Sequence, residues 1–519
     1  MGHTVDEIRS ELYALIRDLG KDGGLVSPSV YDTAQVLRFY PPKEGVDPAL
    51  DWIISRQRAD GGWGDPAVPL TRDVPTLAAV LALHQYRGQE RSTQERIEAA
   101  LTFLEHQQVY WQDPPIDALA VATELVLPRL LDEARHAGLP VSADWYRSLQ
   151  PLRQMKLQRL QGRRLRAGDA PLYSWEALQT GFSVELLDST GGVGHSPAAT
   201  AAWLREATRE GISQEICRIA EGYLHQANRA TLCDIPGVMP TVWPISTFEL
   251  SYGLMSLEIT GALPHLERFD GVLMQVERLK DGLQARNGVG ISPAFVVDVD
   301  LTAAGLAAIA HMKGQVSCDA LSQFCVDDHY YTFVNELNPS VLSNAHAVYA
   351  LACSGHSATP TVQFLLKQQQ PEGHWLADKW HSSWRYTTLE VAVALIEHGH
   401  VAVLDKTAHY FALDQHPDGG WGMGEESSTV ETVFSTTALY QINRALKKTQ
   451  TIPMDAMYAG QQWLLKRYRP HTFLQHDYWM GKELYSPYRV DRIYELGAIF
   501  AIVMQQEMTL QEKGVQSWT

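Results

Sequence analysis

The chain has 519 residues, enough for two or three domains that each bury a substantial core. A formal net charge of −17 excludes nucleic-acid binding through bulk electrostatics, and an anionic substrate would need a local basic patch working against that field. Apolar residues make up 45 % and no run approaches ~18 uninterrupted apolar residues, so a globular chain with no membrane span is expected.

The N-terminal stretch, MGHTVDEIRSELYALIRDL, mixes charge with apolar residues and has no continuous apolar core of a leader peptide. Its apolar residues, like those of TLAAVLALHQY, IEAALTFLEHQ and ALAVATELVLPRLLDEA further on, recur at i, i+3, i+4 and i+7. That spacing predicts amphipathic helices, and turn clusters of Gly, Pro, Asp and Asn separate them. The fold class read from this pattern is all-α. Five cysteines (Cys217, Cys233, Cys318, Cys325, Cys353) form no C-x-x-C pair and read as free thiols in a reducing compartment, hence a cytoplasmic protein. There is no zinc-ligand spacing of His and Cys.

One connecting unit recurs. Gln57 to Trp63, Gln369 to Trp375 and Gln415 to Trp421 all fit Q-x-x-x-G-x-W, and each follows an amphipathic helix. Gly turns the chain, Gln can bond exposed backbone groups at the helix end, and Trp packs over the junction. Recurrence of such a unit is what stacked helical hairpins require.

The sharpest candidate for chemistry is Asp298-Val-Asp300-Leu-Thr302, which opens a predicted helix after an apolar approach. Asp298 as a helix N-cap is the plain structural reading. The chemical reading is that two close carboxylates in an apolar pocket cannot both ionise cheaply, so one keeps its proton. A neutral carboxylic acid can protonate a weakly basic carbon, and a dry aromatic cavity beside it would protect a carbocation.

The Q-W repeats resemble those of the triterpene and class II diterpene cyclases, and the acid segment is similar to the family's D-x-D-D or D-x-D-T-T motif, with Leu301 where Asp or Thr is usual. Val30 to Ala34, Glu124 to Pro128, Phe182 to Glu185 with Ser196 to Thr200, Asp378 to His381 with Tyr386 to Thr388, and Trp479 to Tyr485 match further family elements in order. The resemblance covers nearly the whole chain. It implies two double-layered α/α barrels, a γ domain over 20–270 and a β domain made of 1–19 and 271–519.

The resemblance further implies protonation-initiated cyclisation of geranylgeranyl diphosphate to a bicyclic diphosphate of halimadane, clerodane or labdane skeleton. Asp300 would be the proton donor, Asp298 its support and Asn344 its hydrogen-bond partner. His346, two residues on and facing away from Asn344, reads as a core or surface histidine rather than a base. Lys379 and Lys482 would hold the diphosphate; Trp380 and Tyr386 would line the cavity and face the cation. Mg²⁺ is the implied cofactor, with Glu185 a possible contributor and no ligand set assigned. Segments 338–346 and 378–388 resemble most the halimadienyl (tuberculosinyl) type, beside which kolavenyl-type synthases stand. A retained diphosphate implies a downstream class I synthase or phosphatase as partner.

Three rivals bound this reading. Farnesyl diphosphate cyclisation to a drimane keeps the chemistry on a shorter substrate. A glycoside hydrolase would need carboxyls ~5–9 Å apart across a sugar, which two residues on one short segment serve poorly. A helical scaffold explains the repeats but not the acid. Asp327-Asp328 starts a D-D-x-x-D motif but lacks its distal carboxylate, which disfavours ionisation-initiated chemistry.

Overall fold

A computed structural model of the chain describes residues 5–178, 181–266, 268–314, 316–334, 336–446, 453–474 and 476–512, with side chains described to 506. Among them, strands are confined to three two-residue antiparallel pairs, and helices make everything else that is regular.

The helices form two closed rings. In the second half Ser246–Ile259, Val299–His311, Val341–Cys353, Trp384–Glu397, Thr429–Leu446 and Tyr488–Glu512 each pack on the next, and the last returns to the first. These six are buried almost all round through the stretches that carry Leu254, Leu306, Val348, Leu389, Phe434 and Ile499, which marks an inner layer. Asp270–Arg286, Thr359–Lys367, Leu404–Leu413 and Met454–Arg467 bury one side only and lie outside. The N-terminal helix Val5–Asp18 joins this outer layer, inserting Ile8, Leu12 and Ile16 into the same core. The first half builds a smaller ring from Val30–Phe39, Asp73–Arg87, Thr123–His136, Trp175–Leu178 and Pro197–Arg209. This is the double-layered α/α architecture that the resemblance implies.

The boundary at 270 needs correction. Ser246–Ile259 is a full member of the second ring, and its Leu250, Leu254 and Leu257 sit in the second core. The cores of the first half end with Val238 and Trp243, so the chain changes body at about 243–245. A helix buried all round carries no amphipathic stripe to say which barrel owns it.

The Q-W unit is the same device three times. Gln57, Gln369 and Gln415 donate from Nε2 to the carbonyls of Gly61, Gly373 and Gly419 at 2.8–2.9 Å. Each of these glycines has φ near +90 to +105°, a conformation side chains resist. The following Trp63, Trp375 and Trp421 donate from Nε1 to Ile53, Leu365 and Phe411 on the preceding helix at 2.7–2.8 Å. Their backbone N–H groups donate to Thr76, Thr388 and Thr432 on the next inner helix. Each unit thus pins an outer helix to an inner one.

Candidate active site

Between the two bodies lies a cavity of about 790 Å³, with walls from both. The second barrel contributes Phe248, Tyr252, Phe295, Asp300, Trp380 and Trp479, and the first contributes Leu119, Leu125 and Tyr173 among others. Aromatic faces and apolar side chains dominate the second-barrel wall, and Asp298 and Asp300 bring two carboxyls to it at the end of the inner helix ring.

The acid segment folds as its residue types dictate. Asp298 has extended backbone and caps Val299–His311, accepting from Leu301 N–H at 2.8 Å. Asp300 follows in the first turn. His346 Nδ1 bonds Asp300 Oδ1 at 2.7 Å, and the Tyr252 hydroxyl donates to Oδ2 at 2.5 Å. His346 Nε2 faces Glu390 Oε2 at 3.4 Å, and Tyr494 donates to the other oxygen of Glu390 at 2.6 Å. Four consecutive inner helices therefore supply Tyr252, Asp300, His346 and Glu390 to one buried cluster.

The charge states follow from those contacts. Burial alone would raise Asp300, but the His346 cation and hydrogen bonds from His346 and Tyr252 outweigh it and hold the carboxyl below its usual value. Burial opposes the charge on His346, yet Asp300 and Glu390 beside it push the imidazole up to about 10. Asp298 is the carboxyl raised far above the ordinary range, by burial and then by Asp300. The pair divides as two close carboxylates must, with the resting proton on Asp298. Asp300 becomes a strong acid by a different route: every donor that stabilises its carboxylate makes its protonated form a better proton donor.

Other expected site residues fall in different places. Asn344 does not reach Asp300; its Oδ1 accepts from Tyr330 N–H, and its Nδ2 donates to the carbonyls of Tyr330 and Ser340, all at 2.7–2.8 Å. It fastens the Cys325–Tyr330 hairpin to the start of the His346 helix. His346, read as a core residue, is the acid's partner instead. Nothing in the local sequence announces a pairing across 46 positions, nor the approach of Tyr252 from 48 positions away.

Lys379 and Trp380 line the cavity. Lys379 Nζ donates to the Asn338 carbonyl at 2.6 Å and pairs with Glu336 at 2.8 Å. Lys482 does not line it. The hairpin Trp479–Met480 and Leu484–Tyr485 carries Lys482 into the first body, where its fully buried ammonium bonds Glu176 at 2.7 Å and Ser196 at 2.6 Å, with Asp32 at 3.7 Å. Neighbouring Glu483 accepts from Val30 and Tyr31 N–H at the start of helix Val30–Phe39. The hairpin tip is a peg between the bodies. Tyr386 is also corrected: it lies behind the wall, stacked on His381 and packed against Trp479, which is the ring that faces the cavity.

The basic part of the wall was missed from sequence. Lys156, Arg159, Arg163 and Arg164, on and after the helix Gln150–Leu160, line the cavity along with Glu124, whose carboxylate meets Lys156 at 2.5 Å. Glu185 is exposed and pairs with Arg164 at 2.5 Å. Asp327 and Asp328 form the exposed turn of a short hairpin.

Compared with known proteins, residues 334–491 match the family model of the squalene-hopene cyclase C-terminal domain. The chain is 40 % identical to a (+)-kolavenyl diphosphate synthase of Herpetosiphon aurantiacus over 97 % of this chain and 99 % of the relative. The chain belongs to the class II diterpene cyclases. A type B diterpene cyclase of Mycobacterium tuberculosis is 25 % identical over 92 % of this chain and 96 % of the relative. The ent-copalyl diphosphate synthase of Streptomyces platensis superposes with a TM-score of 0.76 at 25 % identity, covering 96 % of this chain and 99 % of that one. For a class II diterpene cyclase the notable local feature is Leu301, whose side chain lines the cavity while its N–H holds Asp298. The hydrogen bonds a polar residue could offer at that position come instead from Tyr252 and His346. Among the described residues, no helix of the cyclase is long and apolar enough to cross a membrane.

Proposed function

We infer that this cyclase converts geranylgeranyl diphosphate into a bicyclic diphosphate by protonation. The carrying observation is Asp300 on the wall of an aromatic cavity with both carboxyl oxygens already engaged by donors. Asp300, once it takes up the proton that rests on Asp298, gives it to the CH carbon of the distal double bond; the alkene electron pair forms the new C–H bond and the O–H pair stays on the carboxylate. The tertiary cation so formed is attacked by the next double bond, and that cation by the one after, closing two rings. Hydride and methyl shifts follow, and loss of a proton ends the sequence with the carbon–oxygen bond to diphosphate intact. His346 and Tyr252 stabilise the carboxylate left behind, and Phe248, Trp380 and Trp479 offer ring faces to the migrating charge.

The diphosphate is assigned to Lys379 with Lys156, Arg159 and Arg163, cationic side chains of the cavity wall, which Arg164, paired with Glu185, also joins. A Mg²⁺ ion fits there, since it takes one or two carboxylates plus phosphate oxygens, and Glu124 is a buried carboxylate on that wall. Bound there, it would offset phosphate charge. The skeleton proposed is of kolavenyl or halimadane type, supported by the 40 % identity to a kolavenyl diphosphate synthase. A retained diphosphate calls for a class I synthase or a phosphatase to consume it, and five free cysteines fit a reducing cytoplasm.

The test is incubation with geranylgeranyl or farnesyl diphosphate and Mg²⁺, then phosphatase treatment, mass spectrometry and NMR. A bicyclic C20 alcohol supports the assignment. Cyclisation of the C15 substrate alone would replace it with the drimane reading.

A further inference from the structure

The inner helices that present the acid cluster at one end converge at the other on a second group of side chains. Glu258 is the penultimate residue of Ser246–Ile259, His311 the last of Val299–His311, and Cys353 the last of Val341–Cys353. These are the helices that carry Tyr252, Asp300 and His346. One ligand atom from each of Glu258, His311 and Cys353 lies within 4.8 Å of the other two. His311 Nε2 is 2.9 Å from Cys353 Sγ and in short contact with Glu258 Oε1.

We propose that Glu258, His311 and Cys353 form a binding site for one Zn²⁺ ion that clamps the C-terminal ends of three neighbouring inner helices. A thiolate, an imidazole and a carboxylate are the donor set of a borderline-soft ion and a poor one for Mg²⁺. Zinc bonds of ~2.0–2.3 Å put tetrahedral ligand atoms about 3.5 Å apart. A small opening of the His311–Glu258 contact reaches that spacing, and a water completes the fourth position. The ligand charges sum to −2 and balance the ion. Three helix C-termini add the negative ends of their dipoles, and the exposed Glu397 ends the next inner helix close by. Tyr349 donates to Glu258 and stacks on His311, holding two ligands from outside the first sphere. Each of the three ligands is partly solvent-accessible, which leaves the ion a way in.

The site requires no sequence-local motif, because 53 and 42 positions separate its ligands along the chain. It also stands apart from the acid, each ligand lying 6 to 11 positions along its helix from the acid-cluster residue.

The test uses the full chain, dialysed against a chelator and then titrated with Zn²⁺ and separately with Co²⁺. The proposal expects one equivalent of zinc per chain, a higher Tm with zinc, and a thiolate-to-cobalt charge-transfer band. Cys353→Ser removes the band, and both it and His311→Gln weaken zinc by more than the roughly 10–100-fold that loss of an outer-shell partner costs. Alkylation of Cys353 in the unaltered protein, read by peptide mass, slows when zinc is present, which needs no variant to fold. Absence of stoichiometric zinc and of the cobalt band, or retention of full affinity in both variants, overturns the proposal.

Discussion

Replacing His346 by Gln keeps a donor beside Asp300 and removes the charge. The imidazolium lies with Nδ1 2.7 Å from Asp300 Oδ1, which puts the charge centres roughly 4 Å apart. At an effective dielectric of about 20 that separation is worth about 4 kcal/mol, or ~3 pKa units of acid strength at Asp300. Between half and all of that difference reaches the protonation transition state, so kcat should fall about 30- to 1,000-fold. Tyr252→Phe removes a neutral hydroxyl donor and should cost only about tenfold. Initial rates with geranylgeranyl diphosphate, measured by mass spectrometry at saturating substrate, read both, with circular dichroism to confirm the fold. A His346→Gln enzyme within about threefold of the unaltered kcat would refute the claim that the His346 charge makes Asp300 a strong acid.

Asn344→Ala should behave oppositely, losing stability by several kcal/mol through three buried hydrogen bonds while the folded fraction keeps most of its kcat. Thermal denaturation against single-turnover rates separates the two effects. Lys482→Met leaves Glu176 and Asp32 without their buried cation and should destabilise by about 3–5 kcal/mol, whereas Lys379→Gln should raise KM with a smaller loss of Tm from its ion pair with Glu336. Stability should decline as pH rises from about 5 to 8. Burial lifts Asp32 and Asp477 to about 6, Asp73, Asp491 and Glu495 to about 7 and Glu483 to about 8, each above its unfolded value. The folded state therefore binds more protons across that window, and the stability these groups lend at low pH is lost as pH passes their folded values. A Tm that climbs between pH 5 and 8 contradicts this.

What was legible in the sequence was what is local. The Q-W units and the Asp298 cap each sit within a few residues of their own signal and make the contacts it suggested, and Asp300 beside them lies on the cavity wall. The domain boundary was not legible, because Ser246–Ile259 is buried almost all round and shows no amphipathic stripe. Asn344 and His346 were exchanged in role because a helix register alone does not say which neighbouring helix a residue meets. Lys482 shows the same limit. A lysine beside aromatic residues can face a phosphate or be buried against carboxylates, and the peg made by its hairpin depends on Asp32, Glu176 and Ser196 from a distant part of the chain. The basic wall at Lys156 to Arg164 carried no motif, and only the packing of the two bodies makes it face a cavity.

The most direct test of protonation by Asp300 is a reaction in deuterium oxide with geranylgeranyl diphosphate, comparing the unaltered enzyme with Asp300→Asn. The account predicts a bicyclic diphosphate one mass unit heavier from the unaltered enzyme, with the deuterium on the ring carbon that was the CH of the distal double bond, no inorganic diphosphate released, and no product from the variant. A product without deuterium, or labelled product formed at full rate by Asp300→Asn, would contradict it.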